Sequence, residues 1–153
     1  MLKNSDELNG MREAGKLAAE VLEMITDYVK PGISTGELDE ICFKYITDVQ
    51  KAIPANVGYR GFEKTLCTSI NQVICHGIPD TNRILKSGDI MNIDVTVIKD
   101  GWHGDTSKMF LIGKAQSHNE RLVRVTQECL YKGIEAARPG ARLGDIGLSL
   151  IHI

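Results

Sequence analysis

Asn92-Ile93-Asp94-Val95-Thr96-Val97-Ile98-Lys99-Asp100-Gly101-Trp102-His103-Gly104-Asp105-Thr106-Ser107-Lys108-Met109-Phe110 is the stretch that decides the fold. Asp100-Gly101 lies between two β-prone runs, Asp89–Lys99 and Trp102–Ile112. Asp-Gly is the pair that a two-residue hairpin loop favours, because both loop residues need positive φ. With that loop Lys99 faces Trp102, Asp94 faces Ser107 and Thr96 faces Asp105. Side chains alternate between faces, so Asp94 and Asp105 leave the same face as diagonal neighbours, roughly 7 to 8 Å apart. A three-residue loop would put them on opposite faces.

That face is polar, with Asn92, Asp94 and Thr96 on one strand and Asp105 and Ser107 on the other. The opposite face of the first strand carries Met91, Ile93, Val95 and Val97, a core pattern. Two like charges side by side in a sheet cost stability unless a cation lies between them. Oxygen ligands without thiolates suit hard or borderline divalent ions. The pattern is equally that of the solvated face of an antiparallel sheet, and the hairpin alone leaves both readings open.

Upstream, Thr65–Ile70 and Val73–His76 read as short strands separated by Asn71-Gln72 and stopped by Gly77-Ile78-Pro79-Asp80. His76 ends the second run, where its ring can sit at a strand mouth. His103 is expected to point away from Asp105, and His118 to sit in a polar loop.

Helices precede and follow the strands. Ser5 is expected to cap a helix running to about Val29, with Leu8, Met11, Ala14, Ala18, Val21, Leu22 and Ile25 as its apolar stripe. Ser34-Thr35-Gly36-Glu37 has the form of a capping box. It opens a second helix with Leu38, Ile41, Cys42, Tyr45, Ile46 and Val49 on one side. A third helix is expected from about Asn119 to Ala137. Lys30-Pro31-Gly32-Ile33-Ser34-Thr35-Gly36-Glu37-Leu38 matches Arg138-Pro139-Gly140-Ala141-Arg142-Leu143-Gly144-Asp145-Ile146 in type at six of nine places. Both strings follow an amphipathic helix and should start another, which predicts a duplication whose second copy begins near Asn119. On that reading something on the order of 100 residues is missing.

Leu148-Ser149-Leu150-Ile151-His152-Ile153 is what CTG-TCT-CTT-ATA-CAC-ATC encodes, the end sequence of a common transposase-based sequencing adaptor. Residues 148–153 are therefore expected to be a non-native read-through tail after a truncated domain over 1–147, and His152 is given no functional role. The alternative is an ordinary apolar continuation of the helix.

The bulk numbers agree with one ordinary globular domain: 153 residues, 42% hydrophobic and 25% charged. Eighteen basic against twenty acidic residues give a net charge of -2 with no basic block, which recommends neither nucleic acid nor an anionic membrane as partner. The first residues lack the apolar core of a signal peptide, and no stretch has the length of a membrane span. Cys42, Cys67, Cys75 and Cys129 show no C-x-x-C spacing and read as reduced thiols of a cytoplasmic protein.

The hairpin resembles the first metal-binding hairpin of type I methionine aminopeptidases almost throughout. Ser69-Ile70-Asn71-Gln72-Val73-Ile74-Cys75-His76-Gly77-Ile78-Pro79-Asp80 is similar to that family's active-site histidine segment, and Val29–Leu38 fits the family too. The similarity covers about residues 3 to 147, roughly the first three-fifths of such an enzyme. The fold class it implies is α/β (α+β). The chain would supply the N-terminal half and the start of the second half of the pita-bread (creatinase/aminopeptidase) fold, an antiparallel sheet with helices on one face.

The resemblance also implies a function. Two divalent metal ions (Co, Mn, Fe or Zn) would serve the complete enzyme, with Asp94 holding one and Asp105 bridging both. A metal-bridging water would attack the scissile carbonyl, and His76 would bond substrate and stabilise developing charge. A glutamate in the family's later half would shuttle the proton. The reaction removes the initiator methionine from nascent polypeptide N-termini when the next residue is small, near the ribosome, and the complete enzyme would be a monomer. Tyr59, Phe62 and Cys67 align with the methionine pocket. Phe62 stands where tyrosine is frequent and Asn56 where cysteine is common, which alters the pocket without removing its preference for Met. Asn71 and the Val73 carbonyl match a monovalent-cation site. One histidine and two glutamates of the family's ligand set have no counterpart after Asp105, so the fragment alone is expected to be inactive. The competing readings are a non-catalytic pita-bread binding module and an Xaa-Pro-type aminopeptidase.

Overall fold

A computed structural model describes residues 4–151. The chain divides into two units, one ending at Lys114 and one beginning at Ala115. His152 and Ile153, the end of the expected tail, lie outside the described residues.

The first unit begins with α1 (Ser5–Ile25). Its cap is Asn4 rather than Ser5: Asn4 Oδ1 accepts from the Glu7 amide at 2.9 Å, and Glu7 reaches back to the Asn4 amide at 3.3 Å. The helix stops at Ile25, short of Val29, where the Thr26 hydroxyl bonds back to the Leu22 carbonyl at 2.7 Å and the turn tightens. Its packed face is Ala14, Leu17, Ala18, Val21, Leu22 and Ile25, while Leu8 and Met11 of the expected stripe are exposed. The face is small-sided at its start because the sheet comes close. A Cβ on Gly104 would overlap the Ala14 carbonyl, and one on Gly10 would overlap the Trp102 ring.

The chain then turns through Gly32, whose φ of 99° suits glycine, into α2 (Thr35–Lys44). Ser34 caps it with the predicted box: the Ser34 amide donates to Glu37 Oε2 at 2.8 Å, and the Glu37 amide donates to Ser34 Oγ at 3.1 Å. Leu38, Cys42 and Ile46 are buried, Ile41 and Tyr45 partly so, and Val49 is exposed at the end of the π turn Tyr45–Val49.

Four strands form one antiparallel sheet: β1 (Ile53–Pro54), β2 (Leu66–Ile70), β3 (Ile90–Lys99) and β4 (Trp102–Leu111). β3 is central, with β4 along one edge and β1 and β2 along the other. The β3–β4 register is the one predicted, with Asp94 opposite Ser107, Thr96 opposite Asp105 and Lys99 opposite Trp102. Asp100 and Gly101 take φ of 48° and 84°, both left-handed as the two-residue loop requires. Met91, Ile93, Val95 and Val97 are fully buried in one core with the inner faces of α1 and α2. The helices thus cover one face of the sheet and leave the polar face clear of them.

Val73–His76 is not a strand. Asn71 adopts φ 54° and its side chain ties the end of β2 to the start of β3, donating to Asp89 at 2.8 Å and accepting from the Ile90 amide at 3.1 Å. The following run leaves the sheet as a loop, with Ile74 almost wholly exposed.

The second unit holds α3 (Ser117–Ala136) and α4 (Leu143–Ile151). The two helices meet at Gly133, where an added Cβ would touch Ile146 and Leu150 at ordinary contact distance. The connecting turn reproduces the one before α2: Gly140 has φ 89°, and the Arg142 amide donates to Asp145 Oδ2 at 2.8 Å as the Ser34 amide does to Glu37. The two nine-residue strings share the left-handed glycine and this amide-to-carboxylate bond, while the hydroxyl that completes the box at Ser34 has no counterpart in Arg142. His118, expected in a loop, is in the first turn of α3.

Candidate functional site

The polar face of the sheet is built from rows of paired residues. Cys67, Asp94 and Ser107 form one row across β2, β3 and β4, and Ser69, Asn92 and Met109 form the next. Thr96 and Asp105 make a third. Asn92 donates to the Ser107 hydroxyl at 3.4 Å. Asp94 is half-buried and Asp105 exposed.

The two carboxyl groups interact as their register requires. Desolvation and then the charge of Asp105, with a side-chain hydrogen bond to it, push the Asp94 carboxyl above its ordinary value, while His76 pulls it back down. This face therefore has two acids in contact and too little positive charge to balance them. Such a pair fits a divalent cation held by oxygen donors. Among the described residues no third His, Cys, Asp or Glu joins them in a group that could hold a metal, so the donor set here is two carboxylates.

His103 belongs on this face, contrary to expectation. It pairs with Ile98 and lies two residues from Asp105 along β4, and residues two apart on a strand share a face.

His76 comes from the loop after β2. The Thr68 amide donates to the Gly77 carbonyl at 2.7 Å and the Gly77 amide to Ser69 Oγ at 3.2 Å. These bonds pin the loop to β2, and His76 takes φ 56°, a conformation seldom adopted by side-chain-bearing residues. The imidazole is exposed and lines a cavity of about 430 Å³ with Asn56, Tyr59, Arg60, Phe62, Cys67 and Ile78. The three residues expected in the substrate pocket are thus brought together with His76. Desolvation, and after it the charge of Asp94, push the Cys67 thiol up.

Arg60 and Ile78 also line the cavity, and the sequence did not single them out. Arg60 lies over the Tyr59 ring at 5.4 Å from its centroid and has φ 50°. The flanking Gly58 and Gly61, both at positive φ, are the signal of a tight loop that turns residues 59–62 toward one cavity. The Asn71 side chain, expected near a monovalent cation, is engaged in the brace to Asp89 and Ile90 described above, and the Val73 amide bonds the Ile70 carbonyl at 3.1 Å.

The family model described as metallopeptidase family M24 matches residues 9–152. The methionine aminopeptidase of Salmonella typhimurium is 60% identical over 149 residues, covering 97% of this chain and 56% of its own length. The crystal structure of methionine aminopeptidase from Rickettsia prowazekii superposes with a TM-score of 0.92 at 53% identity, covering 98% of this chain and 60% of that one. The methionine aminopeptidase structure from Thermotoga maritima gives a TM-score of 0.92 at 32% identity, covering 97% of this chain and 59% of that one. The chain thus spans little more than half the length of the relatives it matches.

Proposed function

The chain belongs to metallopeptidase family M24, and from that premise we propose that it is the N-terminal part of a methionine aminopeptidase, which removes the initiator methionine from nascent polypeptides with a small second residue. The observation that supports this most is the convergence of Asp94 and Asp105 on one sheet face with His76 and an apolar cavity beside them.

In this reading Asp94 and Asp105 would be this chain's ligands for divalent ions such as Co, Mn, Fe or Zn. Bound there, the ions would supply the positive charge that polarises a peptide carbonyl and acidifies water. The chain's own residues do the rest of the work assigned to this half. Tyr59, Phe62, Cys67 and Ile78 give apolar, polarizable walls suited to a thioether side chain. His76, at the cavity wall and close enough to Asp94 to lower its pKa, donates a hydrogen bond to the substrate and stabilises the charge that develops on it. The half-buried position of Asp94 limits water around that carboxylate, which strengthens its hold on a cation.

Residues 1–147 would belong to the catalytic domain. The remaining ligands, one histidine and two glutamates, would belong to the part of its relatives' length that this chain does not span, so the chain alone would not turn over substrate. The complete protein would act in the cytoplasm as a monomer on polypeptide ends near the ribosome.

The test uses the full-length protein that carries this chain, assayed for release of Met from a Met-Ala peptide with metal titrated in parallel. Asp105→Ala should abolish metal-dependent turnover. His76→Ala should lower kcat by roughly 10² to 10⁴ with metal affinity kept. Equal losses of metal affinity in both variants would remove His76 from its assigned role.

A further inference from the structure

Behind the cavity lies a buried carboxylate that the peptidase reading leaves unused. Asp39 belongs to α2 and is only 7% exposed. Its Oδ1 accepts from the Thr65 amide and from the Leu66 amide, each at 2.8 Å. Those amides open β2, and the next residue is Cys67, whose side chain lines the cavity and which pairs with Asp94. The Thr65 carbonyl is held from the other side by Asn56 Nδ2 at 3.0 Å, and Asn56 lines the cavity too. One peptide unit is therefore gripped from both ends, by a helix residue and by a cavity residue.

A buried carboxylate is retained at a cost, because burial disfavours its charged form. Lys64 and the two amides offset part of that cost. The amides of Thr65 and Leu66 would otherwise need water or another acceptor at the very start of a strand buried on both faces. A single oxygen taking both bonds fixes the direction in which the chain enters β2. That direction decides on which face Cys67 emerges, since a one-residue slip would turn it into the core and away from Asp94.

We infer that Asp39 is a positioning residue for the substrate pocket: it holds the Thr65–Cys67 segment so that Cys67 faces the cavity in line with Asp94. The inference rests on the pocket reading above for its functional meaning, but its test needs no turnover and so fails or succeeds separately from that reading.

The experiment is residue-resolved amide exchange by NMR on the chain itself, with thiol labelling of Cys67 and Cys75 followed by mass spectrometry. In Asp39→Ala the Thr65 and Leu66 amides should exchange about tenfold faster or more, since two charge-assisted bonds are lost. Labelling of Cys67 should rise by a similar factor, with that of the exposed Cys75 unchanged. Asp39→Asn keeps an oxygen in the same place and should return both readings to within about threefold of wild type. Should Asp39→Ala not fold, Asp39→Ser, with a hydroxyl too short to reach both amides, makes the same comparison. Unchanged exchange and labelling would overturn the inference. So would a uniform loss of protection through β3 and β4, which marks general destabilisation, or a failure of Asp39→Asn to rescue.

Discussion

Gly77 lies directly against Thr68: the Thr68 amide donates to the Gly77 carbonyl at 2.7 Å, and a Cβ at position 77 would overlap the Thr68 carbonyl oxygen. The obstacle is backbone of a buried strand, which cannot give way as a flexible side chain could. This contact is what brings the preceding residue, His76, to the cavity. Gly77→Ala should therefore detach the loop at a cost of about 1–3 kcal/mol. In NMR spectra the His76 and Ile78 resonances should shift, while those of the Asp100-Gly101 turn stay in place. Unmoved His76 resonances would mean that the loop tolerates the methyl and that Gly77 is not what seats it.

Thr68 offers a second, opposite expectation. Its hydroxyl is buried and has no hydrogen-bond partner among the described residues, and alternation puts the side chain on the core face with Leu66 and Ile70. Thr68→Val keeps the shape and removes the unpaired hydroxyl. It should stabilise the chain by about 1 kcal/mol, read as a higher urea midpoint at unchanged slope. A loss of stability would show that the hydroxyl has a partner, such as a bound water.

Asp39 sets a pH dependence. Its carboxyl lies above the ordinary value of 3.8, chiefly because of burial, with the Leu66 and Thr65 amides and Lys64 pulling the other way. A folded-state pKa above the unfolded one favours folding with the proton on. That contribution is whole below the unfolded pKa and is lost as pH rises through the raised folded value. Asp39→Asn does not titrate there. Its stability relative to wild type should accordingly climb as pH rises above about 3.8 and level off once Asp39 is ionised. Urea unfolding of both proteins across that range checks the sign, and a difference that falls with pH would contradict it.

The parts of the fold legible in the sequence are those that local chemistry decides. Asp100-Gly101 specifies the turn, and the turn specifies every pairing of β3 with β4, so the residue pattern alone puts Asp94 and Asp105 on one face. Ser34 and Glu37 likewise fix the start of α2, because the box satisfies its own amides. The parts that are not legible depend on distant partners. Val73–His76 has strand-like side chains, but Asn71 spends its side chain on Asp89 and Ile90 and sends the run out of the sheet. Leu8 and Met11 have helical spacing, but α1 is packed through Ala14 against Gly104, and that contact selects which stripe faces inward. His103 departs from its expected place for a simpler reason: two residues from Asp105 on one strand means the same face, so strict alternation puts it beside the carboxylates. Arg60 enters the cavity through a left-handed backbone at which only its flanking glycines hint.

Asp94 and Asp105 are expected to form one cation site, and paramagnetic broadening by Mn²⁺ reports on it residue by residue. Mn²⁺ is titrated into the isotopically labelled chain, and peak intensities are followed in wild type, Asp94→Ala and Asp105→Ala. Two carboxylates on one hairpin should bind weakly, on the order of millimolar. Asp94, Asp105, Ser107 and His76 should broaden first, and this local pattern should disappear in Asp105→Ala. Broadening that spares these residues, or that persists equally in both variants, would contradict the claim.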